Sequence, residues 1–157
     1  MTGKPVSESR TSMTEVVLPN DTSGYGFILG GKVMHLIDMA GAVAAQRHCR
    51  NPVVTVSVDS VRFLHPIRVG QLVLLDAFVT RAFTTSMEVE VQVLSENPVT
   101  GERIKTSDAF LTFVAIDQAG KPTPVAPVLP QTPDEQRRYD AAMDRRNRRL
   151  TEGPRVG

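Results

Sequence analysis

The chain has 157 residues, 41% of them hydrophobic and 22% charged, with a formal net charge of +1. These values are typical of a single globular domain and exclude a chain dominated by disorder or by a nucleic-acid-binding charge. The single cysteine excludes an internal disulfide framework; with no long apolar run and no secretory leader, this predicts a cytoplasmic protein without a membrane span.

The first third of the chain predicts one short strand and one long helix. Residues 1–12 are rich in Ser, Thr, Gly and charge, which predicts a disordered tail. A strand is predicted at residues 13–18, followed by turn formers up to Gly26. After Gly30-Gly31, apolar and small residues cover most faces of a helix that extends to about His48, which predicts a buried helix.

The remainder of the chain has the period of strands. Valines alternate with polar residues from Val54 to Asp59, and further strands are predicted at 72–83, 86–94 and 103–116 with turns between them. Strands joined by hairpins form an antiparallel sheet, and one apolar helix can be buried only against that sheet. The predicted fold class is therefore α+β, a curved antiparallel sheet wrapped around one central helix, which is the hotdog arrangement.

These elements divide the chain into three parts. The disordered tail takes residues 1–12, the hotdog domain residues 13–130, and a polar C-terminal helix and tail residues 131–157. The predicted C-terminal helix, Asp134 to Arg149, mixes arginines with acidic residues. Because no aromatic stacking set accompanies the arginines, we interpret it as a solvated helix rather than a nucleic-acid or membrane contact.

Asp38 is the first candidate for chemistry, because it lies in an otherwise apolar part of the long helix with only His35 as a strongly polar neighbour. A buried carboxylate is costly without partners, and such groups are found at active sites and in structural pairs alike. The residues alone leave both interpretations open.

Gly30 and Gly31 are the second candidate. Two glycines before a helix let a ligand approach free backbone N–H groups that can polarise a carbonyl, although close packing of helix on sheet is an equally simple reason for them. The histidines and the cysteine have no metal-ligand spacing, so we predict no metal site. Cys49 follows the helix end, where the dipole disfavours a thiolate.

Several segments resemble the hotdog acyl-CoA thioesterases of the cytosolic acyl-CoA hydrolase and YciA-like group. They cover roughly residues 13–130 and are Leu18-Pro19-Asn20-Asp21-Thr22, Gly30-Gly31-x-x-Met34-x-x-Ile37-Asp38, Ser57-Val58-Asp59-Ser60-Val61 with the turn to Gly70, Thr85-Ser86-Met87-Glu88-Val89, and Phe113-Val114-Ala115. The resemblance implies a thioester hydrolase whose site lies between two subunits, commonly in a trimer of dimers.

The resemblance also implies roles for individual residues. Asp38 acts as general base or nucleophile, Ser23 stands where the family usually has Asn, and Gly31 lies at the thioester carbonyl. The expected substrate-binding residues are Asn20, Gly30, Asp59, Arg62, Arg68 and Ser86, with Lys32 as a further cation for phosphate. Coenzyme A is then a substrate moiety and product, and no bound cofactor is expected.

Two other functions use the same fold. A dehydratase or hydratase needs a histidine placed beside a carboxylate, and His35 and Asp38 are three residues apart on one helix. A non-catalytic acyl-CoA-binding module keeps the pocket without hydrolysis, and Ser23 in place of the family's Asn keeps this alternative open.

Overall fold

An antiparallel sheet of five strands packs against one long helix in the computed structural model, which describes residues 1–152. The elements are β1 (Lys4–Pro5), β2 (Thr11–Val16), α1 (Gly30–Cys49), β3 (Val53–Phe63), β4 (Leu72–Ala82), β5 (Ser86–Glu96), β6 (Arg103–Ala115), β7 (Val128–Leu129) and α2 (Pro133–Glu152). The strand order is β2-β4-β5-β6-β3, so β2 and β3 are the sheet edges. The predicted α+β class is confirmed. Residues 153–157, the end of the predicted tail, lie outside the described residues.

The helix α1 lies across the middle of the sheet because small residues let the two approach closely. A Cβ added to Gly41 would come within 3.1 Å of the Phe113 ring, so a larger residue would fit only if that ring moved by a few tenths of an ångström. The inward residues of β5 and β6 complete a core in which Val89, Val91 and Leu111 are fully buried. The helix ends at Arg50, whose left-handed backbone (φ 54°) lets its N–H reach the Gln46 carbonyl at 2.7 Å.

The prediction that α1 is buried around most of its circumference is wrong for a single protomer. Met39 on this helix is 42% exposed, and His35 is exposed as well. The reason is geometric, since one sheet covers one face of a helix and the apolar residues on the other face have no partner in this chain. Exposed valines at positions 54, 56 and 58 of the edge strand β3 add to this uncovered apolar surface.

The N-terminal residues are ordered, contrary to the prediction of a disordered tail over residues 1–12. The strand β1 pairs with β7 in parallel, Val6 is 2% exposed, and the Ser9 hydroxyl accepts a hydrogen bond from the Val79 N–H at 2.9 Å. These partners are far away in the sequence, so the composition of the segment alone could not indicate them. Among residues 1–152, no helix has the length and apolarity that crossing a membrane requires.

The helix α2 is also different from the solvated helix that its composition indicated. It packs on the sheet face opposite α1, where three of its arginines pair with sheet carboxylates: Arg138 with Glu90, Arg145 with Glu88, and Arg149 with Asp59. Glu88 is only 1% exposed. Alternation along β5 shows that these glutamates point away from the core but not that a second helix covers them.

The Arg145–Glu88 ion pair carries the first testable prediction, Arg145→Met. Both guanidinium contacts, of 2.8 and 2.9 Å, go to the buried Glu88 carboxylate. Removing the arginine leaves this carboxylate buried without an ion-pair partner, although the Thr80 hydroxyl still donates to it at 2.7 Å, and such a loss costs about 3–5 kcal/mol of stability. We expect the melting temperature to fall by roughly 6–20 °C in a thermal melt, at about 2–4 °C for each kcal/mol in a domain of this size.

The matched control is Arg137→Met on the same helix. Arg137 pairs with Asp134 in an exposed ion pair, and its side chain is 72% exposed, so its removal should leave the melting temperature almost unchanged. Equal melting temperatures for Arg145→Met and Arg137→Met would contradict a structural role for the buried pair.

Candidate functional site

Asp38 lies on α1 and is joined to the edge strand β3. Its carboxylate accepts a hydrogen bond of 2.7 Å from the Thr55 hydroxyl, and the side chain is half-buried in one protomer rather than enclosed. A hydroxyl donor fixes the carboxylate orientation while the remaining lone pairs stay available. The arrangement therefore leaves an accessible, oriented carboxylate.

Thr55 is not indicated by the sequence pattern, because simple alternation groups it with Ser57 and Asp59. The strand pairing shifts register between Thr55 and Ser57 and again between Val58 and Ser60, as at β-bulges. Thr55 consequently points to α1, whereas Asp59 contacts Arg149 of α2. The contact between Thr55 and Asp38 can be identified only from the register of β3 in the sheet.

The start of α1 is an open backbone site. No side chain caps it, the preceding Leu29 is extended, and no acidic residue lies in the first turn. A Cβ added to Gly30 or Gly31 would meet nothing within 4 Å, so close helix–sheet packing does not explain these two glycines. The free N–H groups and the partial positive charge of a helix start favour a carbonyl oxygen or an oxyanion here.

Gly31 and Asp38 of one chain are too far apart to contact the same carbonyl oxygen directly. They are seven residues apart on one helix, about 10 Å along its axis at 1.5 Å per residue. Catalytic hydrogen bonds span only about 3 Å, or one water more. Groups from two chains can approach one carbonyl more closely than these two groups of one helix.

Ser23 lies in a tight turn ahead of α1. Its N–H donates to the Phe27 carbonyl at 2.8 Å, and its hydroxyl accepts from the Tyr25 N–H at 3.4 Å. Asn20 is exposed and lies nearby, in the short 3-10 helix Pro19–Asp21. The hydroxyl of Ser23 thus contributes to its own turn, a function that asparagine performs equally well.

The remaining predicted ligand residues are spread over the surface, and several already have partners. Arg62 holds the Asp108 carboxylate at 2.7 Å, and its hydrogen bonds keep the pKa of the Asp108 carboxyl below the usual range. Lys32 is 3.6 Å from Asp21, while Arg68 lies over the Phe27 ring.

Two predicted contacts lie outside the surroundings of Asp38. Asp59 is held by Arg149 at 3.0 Å on the face that α2 covers, and Ser86 begins β5 beside the end of β6. The fold therefore separates Asp59 from Asp38, although both follow from the same sequence resemblance. Gly30, Lys32 and Asn20 lie near the helix start instead.

A cavity of about 280 Å³ opens beside the start of α1. Its lining is mostly apolar and includes Gly30 but not Asp38. The members are Ile28, Gly30, Val33, Phe63, Leu64, His65, Pro66, Ile67 and Ser107.

Other chemistries find little support in these side chains. Across residues 1–152, no group of three His, Cys, Asp or Glu side chains is placed to hold a metal ion. Burial raises the pKa of the Cys49 thiol, which disfavours a nucleophilic thiolate. A dehydratase or hydratase would need His35 beside the Asp38 carboxylate. His35 is exposed, and the Asp38 carboxylate accepts its hydrogen bond from Thr55.

Comparison with known proteins identifies the family. Residues 25–102 match the family model described as "Thioesterase superfamily". The uncharacterized acyl-CoA thioester hydrolase YkhA of Bacillus subtilis (strain 168) is 45% identical over 142 residues, which cover 90% of this chain and 83% of that protein. The chain belongs to the acyl-CoA thioester hydrolases. The resemblance stated from the sequence motifs is thereby confirmed.

Longer relatives and solved structures agree with this membership. The cytosolic acyl coenzyme A thioester hydrolase of Rattus norvegicus is 37% identical, but the match spans 89% of this chain and only 37% of that protein. A crystal structure of an apo-hexameric acyl-CoA thioesterase superposes with a TM-score of 0.94 at 47% identity, covering 97% of both chains. The hotdog fold predicted from the sequence is confirmed by this match.

The acyl-CoA hydrolase of Staphylococcus aureus offers a comparison at the level of residues. Its complex with butyryl coenzyme A, coenzyme A and coenzyme A disulfide is 38% identical to this chain, with a TM-score of 0.89 and coverage of 95% and 91%. Alanine variants of an asparagine, an aspartate and a threonine of that enzyme have also been solved. In chain order, those three residues have the same spacing as Ser23, Asp38 and Thr55.

Proposed function

We propose that this acyl-CoA thioester hydrolase cleaves acyl-CoA to a free acid and coenzyme A, with Asp38 as general base or nucleophile. The observation that carries the proposal is the Thr55–Asp38 hydrogen bond, which orients a half-buried carboxylate on the helix that also presents open N–H groups. The matching spacing of the three residues altered in the Staphylococcus aureus enzyme supports the same positions.

In the proposed reaction, the thioester carbonyl accepts hydrogen bonds from the start of α1 near Gly31. Asp38 takes a proton from water as the water oxygen attacks the carbonyl carbon, and the oxyanion is stabilised by the backbone N–H groups. The carbon–sulfur bond then breaks, and the proton held by Asp38 returns to the departing thiolate. Direct attack by the carboxylate, through an anhydride that water hydrolyses, requires the same residues.

Because Gly31 and Asp38 of one chain are about 10 Å apart, we place each site between two subunits. The surface around Met39 and along the edge strand β3 is uncovered in one protomer. It offers the apolar side chains and the strand-edge hydrogen-bonding groups that an interface between two subunits needs. The hexameric thioesterase of similar structure supports a trimer of dimers.

We expect light scattering at micromolar concentration to give a homo-oligomer, a hexamer and at minimum a dimer. The physical reason is the 11-residue edge strand with three exposed valines, which is costly to leave in water. A stable species of 17.2 kDa under these conditions would contradict both the assembly and the shared site.

Ser23→Asn is expected to raise turnover about tenfold. A well-placed hydrogen bond to a developing charge contributes roughly 2.7–4 kcal/mol, and an amide introduced into an existing turn realises part of it. Because asparagine can make the same contact to the Tyr25 N–H, the turn should persist. Steady-state kinetics should show the gain in kcat with little change in KM.

Ser23→Ala is the matched control for this substitution, since it removes the hydroxyl without supplying an amide. It should show no gain. If Ser23→Asn is no faster than the wild type, the serine hydroxyl or another group already performs this task.

The proposal also covers the surroundings of the reaction. Coenzyme A serves as substrate moiety and product, and no resident cofactor takes part. Lys32, Arg62 and Arg68 are the proposed cations for its phosphates, with Asn20 and Gly30 as further substrate contacts at the helix start, whereas Asp59 and Ser86 lie away from Asp38. A cytoplasmic location is supported by the name of the cytosolic rat relative.

A thiol-release assay over a panel of acyl-CoAs separates the candidate functions. The hydrolase releases free coenzyme A from saturated acyl-CoAs. A binding module shows saturable binding without thiol release, and a dehydratase or hydratase acts only on hydroxyacyl- or enoyl-CoA without releasing thiol. Either of the last two results would replace the proposed function.

A further inference from the structure

The cavity beside the start of α1 has the properties of a hydrocarbon site. Ile28 and Val33 line it from one side, and Phe63, Leu64 and Ile67 line it from β3 and the turn that follows. Its 280 Å³ is close to the lower end of the range for small-molecule sites, and the lining is similarly apolar. Phe63 and Leu64 are about half exposed in one protomer, and Phe63 ends the edge strand β3 on which we place the partner subunit, so the cavity opens towards the proposed subunit interface.

The position of the cavity links it to the thioester. Gly30, the first residue of α1, lies in the cavity lining, and the N–H groups of this same turn are the proposed carbonyl contacts. The acyl chain is attached directly to that carbonyl carbon, so its first methylenes must lie beside the helix start. The pantetheine arm contains two amides that need partners when buried, and the lining offers only His65 and Ser107 as polar side chains.

We propose that this cavity holds up to about nine carbons of the acyl chain, an inference that rests on the proposed hydrolase function. A methylene occupies about the volume of a water molecule in the liquid, roughly 30 Å³, which gives this number for a cavity of 280 Å³. Each buried methylene improves binding about fourfold. Catalytic efficiency should therefore rise from acetyl- to octanoyl- or decanoyl-CoA and rise no further with longer chains.

Ser107→Leu tests this assignment by filling the cavity. Ser107 is 2% exposed on β6, opposite Phe63 of β3, so the added isobutyl group takes space from the chain. We expect kcat/KM for decanoyl-CoA to fall at least tenfold, while kcat/KM for acetyl-CoA stays within about twofold of the wild type.

The matched control is Ser95→Leu, which places the same side chain at a serine that is 4% exposed on β5 and does not line the cavity. It should change the rates with acetyl- and decanoyl-CoA by the same factor. Ile28→Ala enlarges the cavity and should move the upper limit to longer chains by roughly two carbons, so the inference remains testable if Ser107→Leu does not fold.

The outcomes are distinguishable. If Ser107→Leu and Ile28→Ala change all chain lengths by one factor, the cavity holds another part of the ligand and the inference is wrong. If neither variant changes any rate, the cavity lies outside the path of the ligand. If the wild type releases no thiol from any acyl-CoA, the proposed function itself fails, and with it the acyl chain as occupant.

Discussion

Asp38→Asn should lower turnover at least about a hundredfold while binding of acyl-CoA and the fold persist. An amide is nearly the same size as the carboxylate and can still accept the Thr55 hydrogen bond, but it neither takes a proton nor attacks a thioester. A general base or nucleophile supplies a factor of this size or more. Steady-state thiol release, with binding measured separately, gives the loss in kcat.

Asp76→Asn is the matched control. Asp76 lies on β4 and pairs with Arg10 at 2.8 Å, outside the residues proposed for the site. Its turnover should equal that of the wild type. If Asp38→Asn hydrolyses acyl-CoA as fast as this control, Asp38 has no part in the chemistry.

Gly31→Pro should reduce kcat by about a hundredfold to a thousandfold, the effect of losing one oxyanion donor. Proline removes the backbone N–H, and the first turn of a helix tolerates it better than later turns. Nothing lies within 4 Å of an added Cβ at this position, so the Cβ of the proline meets no neighbour. The circular dichroism spectrum should remain that of the wild type.

Gly31→Ala separates the N–H from the side chain. It fills the same open space but keeps the donor, so its kcat should stay near that of the wild type. An equal loss in both variants would mean that space at the helix start matters and the N–H does not.

The central architecture could be predicted from the sequence because its signals are local. The valine alternation on β5 and the small residues of α1 specify a strand and a helix by their own periodicity. One apolar helix and a run of hairpin strands have few ways to bury their faces. The motif around Asp38 then placed a carboxylate on that helix, as found.

Contacts between distant segments could not be predicted in the same way. The N-terminal residues are ordered because β1 pairs with β7, and Glu88 is buried because α2 covers it. Both partner segments lie far along the chain. The part played by Thr55 depends on a register shift in β3 that simple alternation does not include. In each case the missing information was which segments meet, and periodicity within one segment does not contain it.

The incomplete burial of α1 has the same origin at the level of subunits. Its apolar pattern indicated a helix buried on most sides, whereas one protomer leaves Met39 exposed. An apolar pattern does not distinguish a surface that a partner subunit would cover from the core that the protomer covers. The apolar pattern of α1 therefore includes both Met39, which is exposed in one protomer, and Ile37, which is buried.

We propose that acyl-CoA is hydrolysed at a site built from Asp38 of one subunit and the start of α1 of another. Mixing the two inactive variants tests it most directly: Asp38→Asn and Gly31→Pro chains are coexpressed with different tags, the mixed oligomers are isolated, and thiol release is measured. In a mixed hexamer assembled at random, about half of the twofold dimers contain both variants and each of these keeps one of its two sites, so about one quarter of the wild-type activity should return. Mixed oligomers as inactive as each variant alone would contradict a shared site.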